Sequence, residues 1–312
     1  MTEHIHVMAA ALRDDQGRIL LAQRPEGKHK GGLWEFPGGK LEQGESRDEC
    51  LIRELVEELG ITAKAYRPLI AVNHQYPELE VLLDVFIVDA WEGVPHGREG
   101  QPLVWVEPSK LGDYDMPEAD VPIVHALQLP DTYLITPASI SDAEQFLEGL
   151  KASLEAGVRL LQFRVFGLES DALQSLFVET ISLAQSFNAR VLVNSQMDQL
   201  VGDGVHLSSR ELFDYDERPV ATDKLLAVSC HSAEDLRQAL KLQANFAVLS
   251  PVLPTRSHPD AEPLGWESFS EMLQEAALPV YALGGMKPEL METAWQNGAQ
   301  GVAGIRGIWC GE

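Results

Sequence analysis

Residues 39–61 read GKLEQGESRDECLIRELVEELGI, and no other run of this chain constrains its fold as tightly. Gly39, Glu45, Arg53, Glu54, Glu57, Glu58 and Gly60 stand at fixed offsets, with the apolar Leu55 and Ile61 set among them. The spacing predicts a helix over residues 46–59 in which Glu54, Glu57 and Glu58 project from one side. Like charges so placed repel and weaken an isolated helix, so a counter-charge is the natural reason to keep them. Several carboxylates on one rigid face make an oxygen-rich site for a hard divalent cation, Mg²⁺ or in its place Mn²⁺. Leu51, Leu55 and Leu59 form the opposite stripe, which predicts burial of the helix against a sheet. A solvated acidic face would account for the glutamates alone, but not for Gly39, Gly60, Arg53 and Glu45 at their offsets.

At 312 residues the chain has room for two domains. Its apolar share of 45% is enough to build a packed core in each. The net charge of −24 argues against a nucleic-acid polymer or a membrane surface as partner, since both require basic patches. A free nucleoside triphosphate stays compatible, because a metal ion bridges acidic protein to anionic phosphate. Cys50, Cys230 and Cys310 are too few and scattered for a disulfide framework or a zinc site, and read as reduced thiols. The N-terminal MTEHIHV has neither a basic flank nor a long apolar run, and no stretch is long enough to span a bilayer. The expectation is a cytoplasmic protein.

The two halves differ in rhythm. In the first, β-like runs at 5–12, 19–22, 81–91 and 103–106 are joined by loops, the acidic helix and a short closing helix at 122–127. This predicts a mixed sheet flanked by helices, an α/β/α sandwich. The boundary falls within residues 127–131 and gives domains 1–129 and 130–312. Beyond it come eight β-like runs: 133–136, 160–165, 191–194, 204–207, 225–230, 246–252, 280–284 and 301–305. Helical stretches such as 142–155, 171–187 and 233–242 lie between most of them. That alternation means parallel strands with crossovers, and eight repeats predict a small (β/α)8 TIM barrel. The fourth crossover, 208–218, is weak as a helix.

The glycine, glutamate and R-E-U-x-E-E-x-G-U pattern of residues 39–61 resembles the Nudix signature. The preceding Trp34-Glu35-Phe36-Pro37-Gly38-Gly39-Lys40 resembles the MutT-type branch, the 8-oxo-dGTP diphosphatases, and the similarity spans roughly residues 4–128. The resemblance implies that Glu54, Glu57 and Glu58 bind metal, with a carbonyl at Gly38 as a further ligand, and that Arg53 orients the carboxylates. Glu45 would brace the loop and helix. Phe36, Gly38 and Gly39 carry over as substrate-side positions, and Arg24 as a group facing the nucleotide phosphates. His29 falls near a phosphate-side histidine of the family, and reads equally as an exposed loop residue. Glu99, in REGQP, matches a loop glutamate that binds a second metal or accepts a proton from the attacking water; its plainer reading is a solvated loop carboxylate. Asp120, in MPEADVP, stands where the bacterial family carries an asparagine that reads the oxidised purine. An amide both donates and accepts, whereas a charged aspartate only accepts, so contact with O6 there requires a proton. The implied reaction is metal-assisted hydrolysis of a nucleoside triphosphate to the monophosphate and pyrophosphate. Its implied role is sanitation of the nucleotide pool for DNA replication and repair.

The second half resembles thiamine phosphate synthases and their TenI-like relatives over nearly all of residues 131–312. The matching stretches are GVRLLQFR at 157–164, GVHL at 204–207, SPVLPT at 250–255 and ALGGM at 282–286. The resemblance implies that Gln162, Arg164, Asn194 and Ser229 line a pyrimidine diphosphate site. Thr255 and Ser257 would hold thiazole phosphate, and Gly284 and Gly285 would offer backbone N–H groups to phosphate. Four positions depart from the family: Phe166 and His258 stand for lysines, and Ser195 and Glu211 for aspartates. A synthase that expels pyrophosphate needs cations to stabilise the leaving group, so the expectation is an impaired or inactive barrel that keeps a phosphate-bearing ligand. A barrel kept for stability or dimerisation, a fully bifunctional enzyme, and a barrel that senses a thiamine-related ligand stand beside it.

Overall fold

The computed structural model describes residues 3–27, 30–77, 79–255 and 262–311. The chain divides into two compact units, Met1–Gln128 and Leu129–Glu312, one residue ahead of the boundary expected from the sequence.

The first unit runs β1 (Glu3–Leu12), β2 (Ile19–Gln23), β3 (Trp34–Glu35), β4 (Gly38–Lys40), α1 (Arg47–Leu59), β5 (Thr62–Gln75), β6 (Leu79–Glu92), β7 (Leu103–Val106) and α2 (Val121–Gln128). Its main sheet has the order β4-β1-β6-β5 and is mixed: β1 and β6 are parallel, the other pairs antiparallel. A three-stranded antiparallel sheet, β3-β2-β7, completes the unit. Cys50, Leu51, Leu55 and Leu59 of α1 are buried against Met8, Ala10 and Leu12 of β1 and Phe86 and Val88 of β6. The alternate residues Ala9, Ala11, Val85 and Ile87 are buried too, so the central strands are covered on both faces. β5 is a strand that sequence pattern does not announce. Its pairing with β6 shifts register between Ala63 and Ala65, Ala65 and Tyr66, and Pro68 and Ile70. Each shift interrupts the two-residue alternation by which a strand is recognised.

The second unit runs β8 (Thr132–Ile135), α3 (Ala143–Glu155), β9 (Leu160–Phe163), α4 (Ser170–Ser186), β10 (Arg190–Asn194), β11 (Gly204–Leu207), β12 (Leu225–Cys230), α5 (Ala233–Lys241), β13 (Phe246–Leu249), α6 (Gly265–Leu273), β14 (Val280–Ala282), α7 (Met291–Gln296) and β15 (Gly301–Gly304). All eight strands pair parallel and close into a barrel. The fourth crossover holds only a 3₁₀ turn, Leu212–Asp214. The interior is filled by Tyr133, Phe246 and Tyr281 in mutual ring contact, so it is a packed core and not a pore. Leu129 belongs to this core, Gln300 Nε2 donates to its carbonyl at 3.2 Å, and the Tyr281 hydroxyl donates to Pro130. These bonds tie the start of the unit to its core. No helix among the described residues is long and apolar enough to cross a membrane. Cys50 and Cys230 are buried free thiols and Cys310 is an exposed one.

Leu55 is fully buried at the centre of the contact between α1 and the sheet. Leu55→Ala is expected to cost the first unit about 2–5 kcal/mol, read from hydrogen exchange of β1 and β6 amides in the full chain. Unchanged exchange would show that another contact anchors the helix.

Candidate active site

Helix α1 is fixed at both ends. Ser46 Oγ accepts from the Glu49 N–H and the Glu49 carboxylate accepts from the Ser46 N–H at 2.9 Å, a reciprocal cap. Gly60 closes the helix in the left-handed conformation. The last turn carries no basic residue. Its free carbonyls are taken instead by the loop after β6: His96 N–H donates to Leu59, Arg98 N–H to Glu58 at 3.0 Å, Arg98 Nη1 to Val56 at 2.7 Å and Gln101 Nε2 to Glu58 at 3.2 Å. Capping the helix in this way brings Glu99, which lies between Arg98 and Gln101, close enough to Glu58 for its charge to act there.

Arg53 organises the acidic face. Its Nε and Nη2 hold the two oxygens of Glu45 at 2.8 and 3.0 Å, and Nη2 also donates to the Lys40 carbonyl at 3.1 Å. Its Nη1 reaches Glu54 at 2.6 Å and Glu57 at 3.4 Å. The fork holds the Glu45 carboxyl at a pKa of about 2. Glu58 lies outside this fork, accepting from the Gly38 N–H at 3.0 Å. Burial pushes Glu58 up to about 7; that hydrogen bond opposes the rise, while the charges of Glu35, Glu54 and Glu99 add to it. Gly38 and Gly39 make room for this arrangement. A Cβ on Gly38, at φ 153°, would meet the Met8 carbonyl at 2.0 Å, and one on Gly39 would meet the Glu54 carboxylate at 2.2 Å.

The three glutamates do share a side of α1, but they do not form a ready triad. Among the described residues no three His, Cys, Asp or Glu side chains are grouped to hold a metal ion. Repulsion among like charges accounts for this, since Glu54 and Glu57 turn to Arg53 and Glu58 to the Gly38 N–H. The donor set still fits a hard divalent cation: it is all carboxylate and carbonyl oxygen, set beside a glycine backbone that leaves space.

A cleft of about 270 Å³ is lined by Gln23, Arg24, Pro25, Glu99, Gln101 and Pro102, so Arg24 and Glu99 face one space. Arg24 is ion-paired with Glu35. Phe36 is buried, and Asp120 is buried in the turn before α2. His29 lies outside the described residues. Gln101, Arg98, Glu35 and Tyr76 contact or neighbour the expected site residues and were not singled out by pattern reading. The first three sit inside motifs quoted for their neighbours, whereas Tyr76 follows the unannounced β5 and carried no signal.

In the barrel, Gln162, Arg164, Asn194, Ser229, Gly284 and Gly285 stand at or just past the C-terminal ends of β9, β10, β12 and β14, which is one rim. Thr255 follows β13, and Ser257 and His258 lie outside the described residues. The Arg164 guanidinium lies 5.4 Å from the Phe166 ring, and burial lowers its pKa. One oxygen of Glu211 accepts from the hydroxyls of Ser195 and Ser208 and from the Ser208 N–H. Burial raises the Glu211 pKa, but these three bonds outweigh it and hold the group below its ordinary range. With Ser195 in place of an acid, this donor set does not fit a two-carboxylate magnesium site. Beneath the rim, the buried His206 lies between Tyr133 and Ser229, whose hydroxyls contact its ring nitrogens at 2.8 Å each.

A glutamate-rich helix on a mixed sheet is the architecture of the first unit, and a closed parallel barrel defines the second as a TIM-barrel domain. The chain belongs to the Nudix family through a NUDIX domain at residues 8–126 and to the thiamine monophosphate synthase family through residues 132–308. It is 36% identical over 182 residues to a "Putative thiamine-phosphate synthase 2" of Aquifex aeolicus, covering 57% of this chain and 97% of the relative. It is 32% identical over 124 residues to an Escherichia coli "8-oxo-dGTP diphosphatase", covering 40% of this chain and 96% of the relative. It is also 39% identical over 122 residues to an Escherichia coli "CTP pyrophosphohydrolase", covering 39% and 90%. The first unit is thus a MutT-like Nudix pyrophosphohydrolase and the second a thiamine-phosphate-synthase-like domain.

Two expectations follow. Gly39→Ala pushes the Glu54 carboxylate aside and is expected to weaken divalent-cation binding about tenfold or more, read by Mn²⁺ titration with electron paramagnetic resonance at unchanged thermal stability. Unaltered Mn²⁺ affinity would remove Glu54 from the metal site. Burial, with Arg164 adding, pushes His206 down to about 3. A histidine so depressed takes up protons on unfolding, so stability is lost as pH falls below about 6.5. The barrel's thermal midpoint is expected to drop between about pH 7 and about pH 5, and His206→Gln to flatten that slope; equal slopes would contradict it.

Proposed function

We propose that the first unit hydrolyses 8-oxo-dGTP to the monophosphate and pyrophosphate, and that the barrel is a degenerate synthase with an accessory, ligand-holding role. The observation that carries the first part is the arrangement of α1, with Arg53 bonded to Glu45, Glu54 and Glu57 and Glu58 bonded to the Gly38 N–H, at the offsets of the Nudix signature. So many carboxylates in a partly buried space make chemical sense around a cation. Glu54, Glu57, Glu58, Glu99 and the Gly38 carbonyl are the groups that would hold it. When bound, Mg²⁺ or Mn²⁺ neutralises phosphate charge and lowers the pKa of water. Arg53 keeps the helix carboxylates in place through its shared fork, and Glu45 anchors Arg53 to the loop before the helix. Arg24 lines the cleft and meets the phosphates, while Glu99, which lines the same cleft, is the candidate to accept the proton of the attacking water.

Relatives named as 8-oxo-dGTP diphosphatases support the oxidised substrate. Similarity to a relative named as a CTP pyrophosphohydrolase supports a second reading, CTP, at the same site. For the barrel, the clasped Glu211 and the ring of Phe166 beside Arg164 support loss of synthase chemistry, with the rim glycines still able to face a phosphate-bearing ligand. Complementation of a thiamine auxotroph by the full chain tests this: growth would restore the bifunctional reading.

Glu57→Gln is expected to reduce turnover to a few per cent or less of the parent's in a panel of oxidised and normal nucleoside triphosphates with Mg²⁺, at unchanged circular dichroism. Substantial residual turnover would take Glu57 out of the site. In the same panel, a preference for CTP over 8-oxo-dGTP would replace the first substrate by the second.

A further inference from the structure

A line of three polar side chains crosses the interior of the barrel. Strand alternation turns Tyr133 of β8, His206 of β11 and Ser229 of β12 inward, while their neighbours Leu134, Leu207, Val228 and Cys230 belong to the outer core layer. The Tyr133 hydroxyl meets His206 Nδ1 at 2.8 Å, and His206 Nε2 meets the Ser229 hydroxyl at 2.8 Å. Tyr133 and His206 are buried, whereas Ser229 is partly exposed at the rim. Burial, with the Arg164 charge adding, keeps a second proton off His206. One ring nitrogen therefore donates and the other accepts, so the line runs in one of two directions. Tyr133 decides which. Its contact with His206 is the hydroxyl's one hydrogen bond among the described residues. If Nδ1–H donated to it, the phenolic proton would be stranded in a packed core. If the phenol donates, only a spare lone pair goes unused. Ser229 finds a partner at the rim either way.

We infer that His206 is a positioning residue for Ser229: the Tyr133 phenol donates to Nδ1, Nε2–H donates to Ser229 Oγ, and the Ser229 proton is left to donate at the rim. A serine outside such a line donates or accepts as its ligand requires. Here one lone pair is taken from within the barrel and the proton is kept free, so the hydroxyl is set as a donor. Arg164 supplies a second donor close by. Its guanidinium is half-buried, its charge reaches His206, and it has no ion pair among the described residues. Two such donors select a ligand group that only accepts, an anionic oxygen of the phosphate kind, over an amine or ammonium. That ligand class rests on the reading of the barrel as a ligand-holding domain; the direction of the line does not.

The full chain with ¹⁵N-labelled histidines tests the direction by long-range ¹H–¹⁵N correlation, which tells a protonated ring nitrogen from a bare one. His206 is the signal that stays still between about pH 5 and about pH 8 and is lost in His206→Gln. The proton is expected on Nε2. In Tyr133→Phe, which keeps the ring packing, the proton should stay on Nε2 while the Nδ1 signal moves to that of a bare nitrogen without a donor. A merely structural histidine would show neither pattern by necessity, and the first measurement needs no variant to fold. Binding is then read by calorimetry with inorganic phosphate as the probe. Ser229→Ala is expected to weaken it about tenfold. His206→Gln leaves Ser229 in place but offers it either an N–H or a carbonyl, so it should weaken binding severalfold. A proton on Nδ1 in the unmodified protein would overturn the inference, as would phosphate affinity indifferent to both substitutions. No phosphate binding by the unmodified chain would overturn the ligand-holding reading, while the spectrum still decides the direction of the line.

Discussion

The guanidinium of Arg53 is the contact on which the first unit's site depends. It joins a loop carboxylate, a strand-end carbonyl and two helix carboxylates through one planar group. Without it, Glu54 and Glu57 would repel each other and Glu58 across one turn of helix, and the loop before α1 would lose its tie to the helix. A lysine could neutralise the same charge but not reproduce the geometry, since an ammonium has no fixed fork with which to grip both oxygens of Glu45. The buried leucine face does the complementary work. Leu51, Leu55 and Leu59 hold the helix to the sheet, so that the electrostatics on the far side act on a rigid frame.

Negative charge in this unit is graded, not uniform. Glu45 is held ionised by its fork, whereas Glu58 and Asp120, both more buried, are each lifted to about 7. Glu35 adds to both of the lifted groups. One side chain therefore biases two carboxyls on different elements of the unit. Similar groups are thus separated by their environments, burial and neighbouring charge deciding which is held ionised.

The acidic helix was legible because its chemistry is local: spacing fixes which side chains share a face, and the leucine stripe fixes which face is buried. The barrel was legible through repetition, since each strand is a short apolar run between helices. What escaped is what only tertiary structure supplies. β5 is a fourteen-residue strand whose register shifts erase its alternation, and Tyr76, just beyond it, was invisible for the same reason. The partition of the glutamates between Arg53 and the Gly38 N–H could not be read either, because offsets give a face and not a rotamer. Nor could the loop carrying Glu99 be seen to cap α1, as the carbonyls it satisfies have no sequence signature. Nor could the anchoring of Leu129 and Pro130 by the side chains of Gln300 and Tyr281, far along the chain, be read from pattern.

The barrel's stability and the chemistry of its rim rest for the most part on different residues. Its stability comes from Tyr133, Phe246 and Tyr281 inside and from the leucine and phenylalanine layer between strands and helices, none of which needs the rim. At the rim, substitution of charged groups leaves new contacts that satisfy themselves: two serine hydroxyls close on Glu211, and a ring lies beside Arg164. A carboxylate already bonded by hydroxyls gains less from a cation than one left open, because part of its charge is compensated before the ion arrives. The same feature that makes the second unit structurally quiet is the one that argues against metal-assisted departure of pyrophosphate there. In the first unit Glu58 has one backbone N–H donor and like charges acting on it, a setting in which a cation has more to stabilise.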